Sequence, residues 1–153
     1  MSSKRLLCVD DDRDFRQFYK NLLGSHGFEV TVASSGAQAL KLFLSKKVDA
    51  VVTDLEMPGM TGVELASRLK KLRPELPVLL VSGAKSFQES KPDSEAAALA
   101  KGTATITLLD QIENLLAKAH AQSLRLNPRR FAPLGSVLAS IALAAYTVPK
   151  ILK

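Results

Sequence analysis

The sequence contains few cysteine and aromatic residues and no long apolar run near its start. Of its 153 residues, one is cysteine, none is tryptophan and 5% are aromatic. The single cysteine, Cys8, excludes an internal disulfide and is typical of proteins from a reducing compartment. Only the apolar residues 6–9 precede three aspartates, and this run is too short for the apolar part of a secretory signal. We therefore expect a cytoplasmic protein with an aliphatic core.

Acidic residues are absent from the last part of the chain, where much of the net charge of +6 resides. Residues 123–153 contain five Lys/Arg and no Asp/Glu, which leaves 16 Lys/Arg and 15 Asp/Glu in residues 1–122. The larger segment is thus close to neutral. A general nucleic-acid-binding surface is therefore not expected.

Short apolar segments alternate with amphipathic ones over most of the chain. The apolar segments predict strands at residues 6–9, 28–33, 48–53, 77–81 and 103–108. The amphipathic segments predict helices at residues 14–23, 37–44, 62–72, 94–101 and 110–120, the last capped by Asp110. Strand–helix units in this order favour an α/β fold, with a doubly wound, five-stranded parallel sheet.

Acidic and hydroxyl residues follow three of the predicted strands. Asp10 and Asp11 follow the first strand, Asp54 the third and Ser82 the fourth. Because parallel strands end at a common edge of the sheet, these side chains should converge there. Carboxylate oxygens suit Mg²⁺, and a carboxylate beside that ion can accept a phosphoryl group. This chemistry makes Asp54 the candidate nucleophile, Asp10 and Asp11 the candidate metal ligands, and Ser82 a ligand for a phosphoryl oxygen.

Three segments carry a resemblance to a known family: LLCVDDDRDFR, VVTDLEMPGMTGVEL and LLVSGAK. With these segments, the chain resembles response-regulator receiver domains over about residues 4–121. The resemblance implies the flavodoxin-like receiver fold and a role in two-component signalling.

The resemblance also implies roles for individual residues. It makes Asp54 the phosphoacceptor, Asp10 and Asp11 the acidic pair that binds Mg²⁺ together with Asp54, and Ser82 the switch hydroxyl. It adds the backbone carbonyl of Glu56 as a further metal ligand. The implied phosphodonor is a histidine kinase or a phosphotransfer protein, and the protein that receives the signal is unknown.

One feature of the family is expected to be missing. Receiver domains end strand five with Lys-Pro, and the predicted strand places Leu109-Asp110 at that position. The aromatic residue that the family carries in this strand is replaced by Ile106. Lys85 or Lys101 could supply a substitute cation.

Two functions remain open on these grounds. The first is a response regulator that accepts a phosphoryl group on Asp54 and has no DNA-binding output domain. As an enzyme it would at most catalyse its own phosphotransfer and autodephosphorylation. The alternative is a phosphate-independent pseudo-receiver that acts as a protein-binding adaptor. An aspartyl-nucleophile phosphatase is disfavoured because Glu56 stands where that class has a second aspartate.

The predicted domain organisation comprises a receiver domain at residues 1–122, a basic linker at 123–133 and a hydrophobic or amphipathic helix at 134–153. Residues 131–149 carry no charge, and 19 residues are just long enough for a bilayer core of about 30 Å. The same segment also presents an apolar stripe that suits docking on protein or self-association. Membrane association, protein packing and disorder thus remain alternatives for the tail.

Overall fold

The computed structural model describes residues 3–83 and 97–126. The described residues as far as His120 belong to one compact unit. Of the second unit, Ala121–Lys153, only the helical residues 121–126 are described. The tail predicted at 134–153 lies outside the described residues.

A five-stranded parallel sheet forms the centre of the first unit. Its strands are β1 (Arg5–Val9), β2 (Glu29–Ala33), β3 (Ala50–Asp54), β4 (Val78–Ser82) and β5 (Ala97–Ala100). They are arranged in the order β2-β1-β3-β4-β5, and every neighbouring pair is parallel. All residues of β3 and β4 are buried, as expected for strands covered on both faces. The predicted fold class is confirmed.

The described residues contain four helices: α1 (Arg13–Ser25), α2 (Gly36–Ser45), α3 (Gly62–Leu72) and α4 (Thr105–Leu126). Side chains cap three of them at the N-terminus, where the first backbone N–H groups lack helical partners. Asp12 caps α1, Ser35 caps α2, and Thr61 forms a capping box with Glu64 at α3. None of the helices in the described residues is long and apolar enough to cross a membrane.

Side chains on the two faces of the sheet form two apolar clusters. Leu7 and Val9 of β1 belong to the cluster that includes residues of α2 and α3, whereas Leu6 and Cys8 belong to the cluster that includes residues of α1 and α4. This division follows from the alternation of side chains along a strand. Burial raises the pKa of the Cys8 thiol to about 12, so Cys8 is a neutral core residue.

The fifth strand differs from the prediction. The strand expected at residues 103–108 is wrong, because α4 begins at Thr105 and contains Asp110 rather than being capped by it. The helix expected at 94–101 is also wrong over its described residues, since Ala97–Ala100 pairs with β4. Alanine favours helices, but here the hydrogen bonds to a buried neighbouring strand outweigh that preference. Gly102, with φ +84°, ends the segment in a conformation suited to glycine.

Candidate functional site

The site begins at the loop after β1. Asp10 follows that strand directly and is fully buried, and its backbone N–H donates to the Ala33 carbonyl at 3.1 Å. Its Oδ1 accepts a hydrogen bond from the Asp12 N–H at 2.9 Å. Nη1 of Arg16 donates to two carbonyls of this loop, those of Asp10 at 2.7 Å and Asp11 at 2.8 Å. The loop is therefore held by side chains at both its start and its end.

Asp54 is the last residue of β3, and only 5% of its surface is exposed. The Glu56 N–H lies 3.3 Å from its Oδ1, so the backbone of the following loop faces this carboxylate. Gly62 begins α3 against the same residue: a β-carbon at position 62 would clash with the Asp54 carbonyl oxygen. The close approach of α3 therefore depends on glycine at that position.

The structure brings together the three carboxylates that the sequence predicts as metal ligands. One oxygen each from Asp10, Asp11 and Asp54 lie within 4.8 Å of one another. Burial raises the pKa of Asp10, and the ion pair with Lys101 opposes this increase. Clustered carboxylates repel one another, and a divalent cation relieves that repulsion.

The chemistry of this group of oxygens fits Mg²⁺. That ion takes one or two carboxylates and retains water for the rest of its octahedral shell. Asp10 Oδ2 is buried and accepts no well-directed hydrogen bond from the described residues, although Lys101 Nζ lies 2.9 Å away. This oxygen therefore keeps lone-pair capacity for a metal, while Asp11 on the exposed side offers an entry for the ion.

Lys101 is the site residue that the sequence prediction placed wrongly. It follows β5 directly, and its Nζ lies 2.8 Å from Asp54 Oδ2 and 2.9 Å from Asp10 Oδ2. Burial alone would lower the pKa of Lys101, but the hydrogen bond to Asp54 and the ion pair with Asp10 outweigh it and raise the pKa. Lys101 is therefore a charged ammonium that bridges two buried carboxylates.

The expectation that the strand-five lysine is missing is wrong, because it rested on the misplaced strand. Leu109 lies buried in α4 and Ile106 is 64% exposed on the same helix, so neither belongs to a strand. The lysine is followed by Gly102 rather than by proline. The dipeptide Lys-Gly after a run of small apolar residues was the available signal, since glycine commonly marks the end of an element. Lys85, the other candidate cation, lies outside the described residues.

Ser82 lies at the same edge of the sheet as the carboxylates. It is the last residue of β4, is 3% exposed and pairs in register with Ala100 of β5. Its hydroxyl donates to the Gly83 carbonyl at 3.1 Å. The role of Ser82 as a switch hydroxyl and that of the Glu56 carbonyl as a metal ligand stay predictions.

Comparisons with known proteins agree with this geometry. The family model described as the response regulator receiver domain matches residues 6–116. The chain is 36% identical over 115 residues to the response regulator MprA of Mycolicibacterium vanbaalenii, and 34% identical over 115 residues to that of Mycobacterium leprae. Each match covers 73% of this chain and 50% of the relative. The chain thus matches about half the length of these curated relatives.

Solved structures show the same fold. A response regulator receiver domain protein from Clostridium thermocellum is 27% identical with a TM-score of 0.72, over 78% of this chain and 98% of that one. The response regulator TrrA from Thermotoga maritima, solved in complex with Mg²⁺ and BeF, is 30% identical with a TM-score of 0.68. That match covers 73% of this chain and 98% of TrrA.

The family model, the relatives and the fold all lead to one assignment, which is consistent with two-component signalling. The α/β sheet places the acidic residues at one edge, as the sequence resemblance implied, and it also places there the lysine that was expected to be missing. The chain belongs to the response regulator receiver domain family.

Proposed function

We propose that Asp54 accepts a phosphoryl group from a phosphohistidine on a histidine kinase or a phosphotransfer protein. The observation that carries this proposal is the position of Lys101, whose ammonium bridges Asp54 and Asp10 at 2.8 and 2.9 Å. A cation beside the candidate nucleophile can stabilise the negative charge of the transferring group. One reason to favour a phosphate-independent adaptor was the expected absence of the strand-five lysine, and that reason no longer applies. The other reason remains, since β5 contains no aromatic residue.

Asp10, Asp11, Asp54 and the backbone carbonyl of Glu56 would hold Mg²⁺ in this proposal. The ion would neutralise charge on the phosphoryl oxygens. TrrA, a relative of 30% identity, was solved with Mg²⁺ and BeF, which supports such a site in this chain. Asp10 contributes a buried carboxylate, and Asp11 contributes an exposed one.

Phosphoryl transfer to Asp54 needs no reactant besides the phosphohistidine donor and solvent. An oxygen of Asp54 forms a bond to phosphorus as the phosphorus–nitrogen bond to the donor imidazole breaks. The imidazole keeps the electron pair of that bond and takes a proton from solvent. Lys101 remains protonated beside the resulting aspartyl phosphate, and Ser82 can turn its hydroxyl from the Gly83 carbonyl toward a phosphoryl oxygen.

Intact-mass spectrometry tests this proposal directly. The protein is incubated with Mg²⁺ and acetyl phosphate, and in parallel with a phosphorylated histidine phosphotransfer protein. We expect a mass gain of one phosphoryl group that disappears in Asp54→Asn and after chelation of Mg²⁺. The matched control is Asp49→Asn, because Asp49 pairs with Arg5 just before β3 and not with the candidate site.

Two results would contradict the proposal. A phosphoryl gain that persists in Asp54→Asn would place the acceptor elsewhere. No gain with either donor, under conditions that phosphorylate a known receiver domain, would favour the phosphate-independent adaptor instead.

A further inference from the structure

The Lys101 ammonium has a third neighbour besides the two carboxylates. Its Nζ lies 4.2 Å from the centroid of the Phe15 ring, within the distance at which a cation is attracted to an aromatic face. Phe15 is in the first turn of α1 and is half-buried. The ammonium is thus contacted by Asp10 after β1, by Asp54 at the end of β3 and by the ring of Phe15 in α1.

The Phe15 ring is itself supported by the core. Tyr19 follows one helical turn later, and the two ring centroids are 6.5 Å apart with an interplanar angle of 35°. Tyr19 is 2% exposed and belongs to the apolar cluster on the α1 and α4 side of the sheet. A buried aromatic residue therefore holds in place the ring on which the ammonium lies.

An apolar cavity of about 350 Å³ lies beside Lys101. Its lining includes Phe15, Phe18, Tyr19, Leu99 and Leu108, together with Lys101 itself. A lysine side chain has four flexible carbons and loses considerable rotamer entropy when it is held in one position. The open cavity leaves this side chain room for other rotamers, and a further contact on the ammonium would disfavour them.

We propose that Phe15 is a positioning residue for Lys101, whose aromatic face holds the ammonium against Asp54 and Asp10. The contact between the Phe15 ring and the Lys101 ammonium does not depend on any reaction, whereas its effect on phosphoryl transfer rests on the proposed function of Asp54. Phe15 does not touch the reacting atoms. It acts through Lys101, by keeping the cation where the phosphoryl charge develops.

Phe18 supplies the matched control. It is on the same helix, lines the same cavity and packs on Tyr19 with a centroid distance of 5.7 Å. It is 45% exposed. Within the described residues, the aromatic ring that the Lys101 ammonium contacts is that of Phe15. A substitution at position 18 therefore perturbs the helix and the cavity while leaving the proposed contact in place.

The first measurement detects the contact without any reaction. An aromatic ring shields nuclei above its face, so the ε-methylene resonance of Lys101 should be shifted upfield in protein labelled with ¹³C-lysine. The Lys101 resonance is assigned with Lys101→Arg. We expect Phe15→Leu to abolish the upfield shift and Phe18→Leu to retain it.

The second measurement reports the electronic nature of the contact. Fluorination withdraws charge from the face of a phenylalanine ring with little change in its size, so it weakens cation binding without emptying the site. Mono-, di- and trifluorinated phenylalanine are placed at position 15 or 18 by site-specific incorporation, because the chain has six phenylalanines. We expect the rate of phosphorylation by acetyl phosphate to fall progressively, by about three- to tenfold in all, for position 15 only.

The results separate this proposal from the proposed function. An unshifted Lys101 resonance in the wild type, or a rate insensitive to fluorination at position 15, would overturn the role of Phe15. If Phe15→Leu does not fold, the nearly isosteric fluorinated series still decides the matter. The expected resonance shift in a protein that acetyl phosphate and a phosphohistidine donor both leave unmodified would establish the contact and overturn the function proposed for Asp54.

Discussion

Lys101 Nζ lies 2.8 Å from Asp54 Oδ2, although the two residues are 47 positions apart in the chain. Asp54 ends β3, Lys101 follows β5, and β4 lies between these two strands. The contact is possible because all three strands are parallel and end at the same edge of the sheet.

Replacement of Lys101 tests its contribution to stability. We expect Lys101→Met to lower the free energy of unfolding by about 2 kcal/mol in the presence of a chelator, because it leaves the buried Asp10 and Asp54 carboxylates without a cation. Mg²⁺ should restore part of this loss if it binds the folded state. Urea denaturation with and without Mg²⁺ measures both effects. Lys118→Met, at an exposed position of α4, is the control, and an equal loss in the two variants would refute the prediction.

Arg16 is expected to influence metal binding through the backbone. Its Nη1 donates to the carbonyls of Asp10 and Asp11, so Arg16→Met should release the loop and raise the Kd for Mg²⁺ about tenfold. The Kd of Arg16→Lys should lie between those of the wild type and Arg16→Met, because the lysine ammonium can still reach a carbonyl. Isothermal titration calorimetry gives the Kd directly. The exposed Arg13→Met is the control, and equal Kd values for Arg13→Met and Arg16→Met would exclude a specific role of the loop contacts.

Gly62 is expected to tolerate no larger side chain. Gly62→Ala should lower the free energy of unfolding by about 1–3 kcal/mol, because the new β-carbon forces α3 away from the Asp54 carbonyl. Gly24→Ala is a matched control within α1, where a β-carbon meets no atom within 4 Å. Alanine favours helices, so Gly24→Ala should be neutral or stabilising. Chemical denaturation of the two variants decides the point: similar losses would show that crowding at Asp54 is not the cause.

The ion pair between Arg5 and Asp49 predicts one part of the pH dependence of stability. The hydrogen bonds from Arg5 lower the pKa of Asp49 below the ordinary value of 3.8. A carboxyl group whose pKa is lower in the folded protein stabilises it above the unfolded pKa, and this stability is lost as the pH falls through the folded pKa. The difference in unfolding free energy between the wild type and Asp49→Asn should thus be largest above about pH 4.

That difference should then shrink as the pH falls further and Asp49 becomes protonated in the folded state as well as in the unfolded state. Denaturant titrations at a series of pH values measure it. A difference that stays constant from pH 2 to pH 7 would show that the carboxylate charge of Asp49 does not contribute.

Most of the fold and the acidic part of the site could be predicted from local patterns. The helix expected at residues 62–72 has the observed bounds Gly62–Leu72, since Thr61 and Glu64 form its capping box. The first four strands were expected within two residues of their observed bounds. Their apolar runs correspond to buried segments, and such runs are visible without knowledge of the partners. The convergence of Asp10, Asp11 and Asp54 needed only the rule that parallel strands share an edge.

The fifth strand could not be assigned in this way. The run Ala97–Ala100 is half-buried and consists of residues that favour helices. It is a strand because Leu79 to Ser82 offer hydrogen-bonding partners beside it. Those partners come from a distant part of the chain, so a pattern within one window does not reveal them. Because the strand was expected at residues 103–108, the lysine at its end was looked for at position 109 rather than at position 101.

The sequence by itself thus determined the α/β class through its apolar periodicity, the receiver family through the resemblance of three segments, and the candidate carboxylates through the aspartates at the ends of the first and third strands. All of these are local features of the chain. Only the tertiary structure decided that Lys101 bridges Asp54 and Asp10, that Phe15 lies against the ammonium, and that Arg16 holds the loop of the acidic pair. The contacts of Lys101 join segments that meet only when the sheet and its helices have packed. The Arg16 contact is closer in the chain, but it depends on how α1 follows the loop after β1.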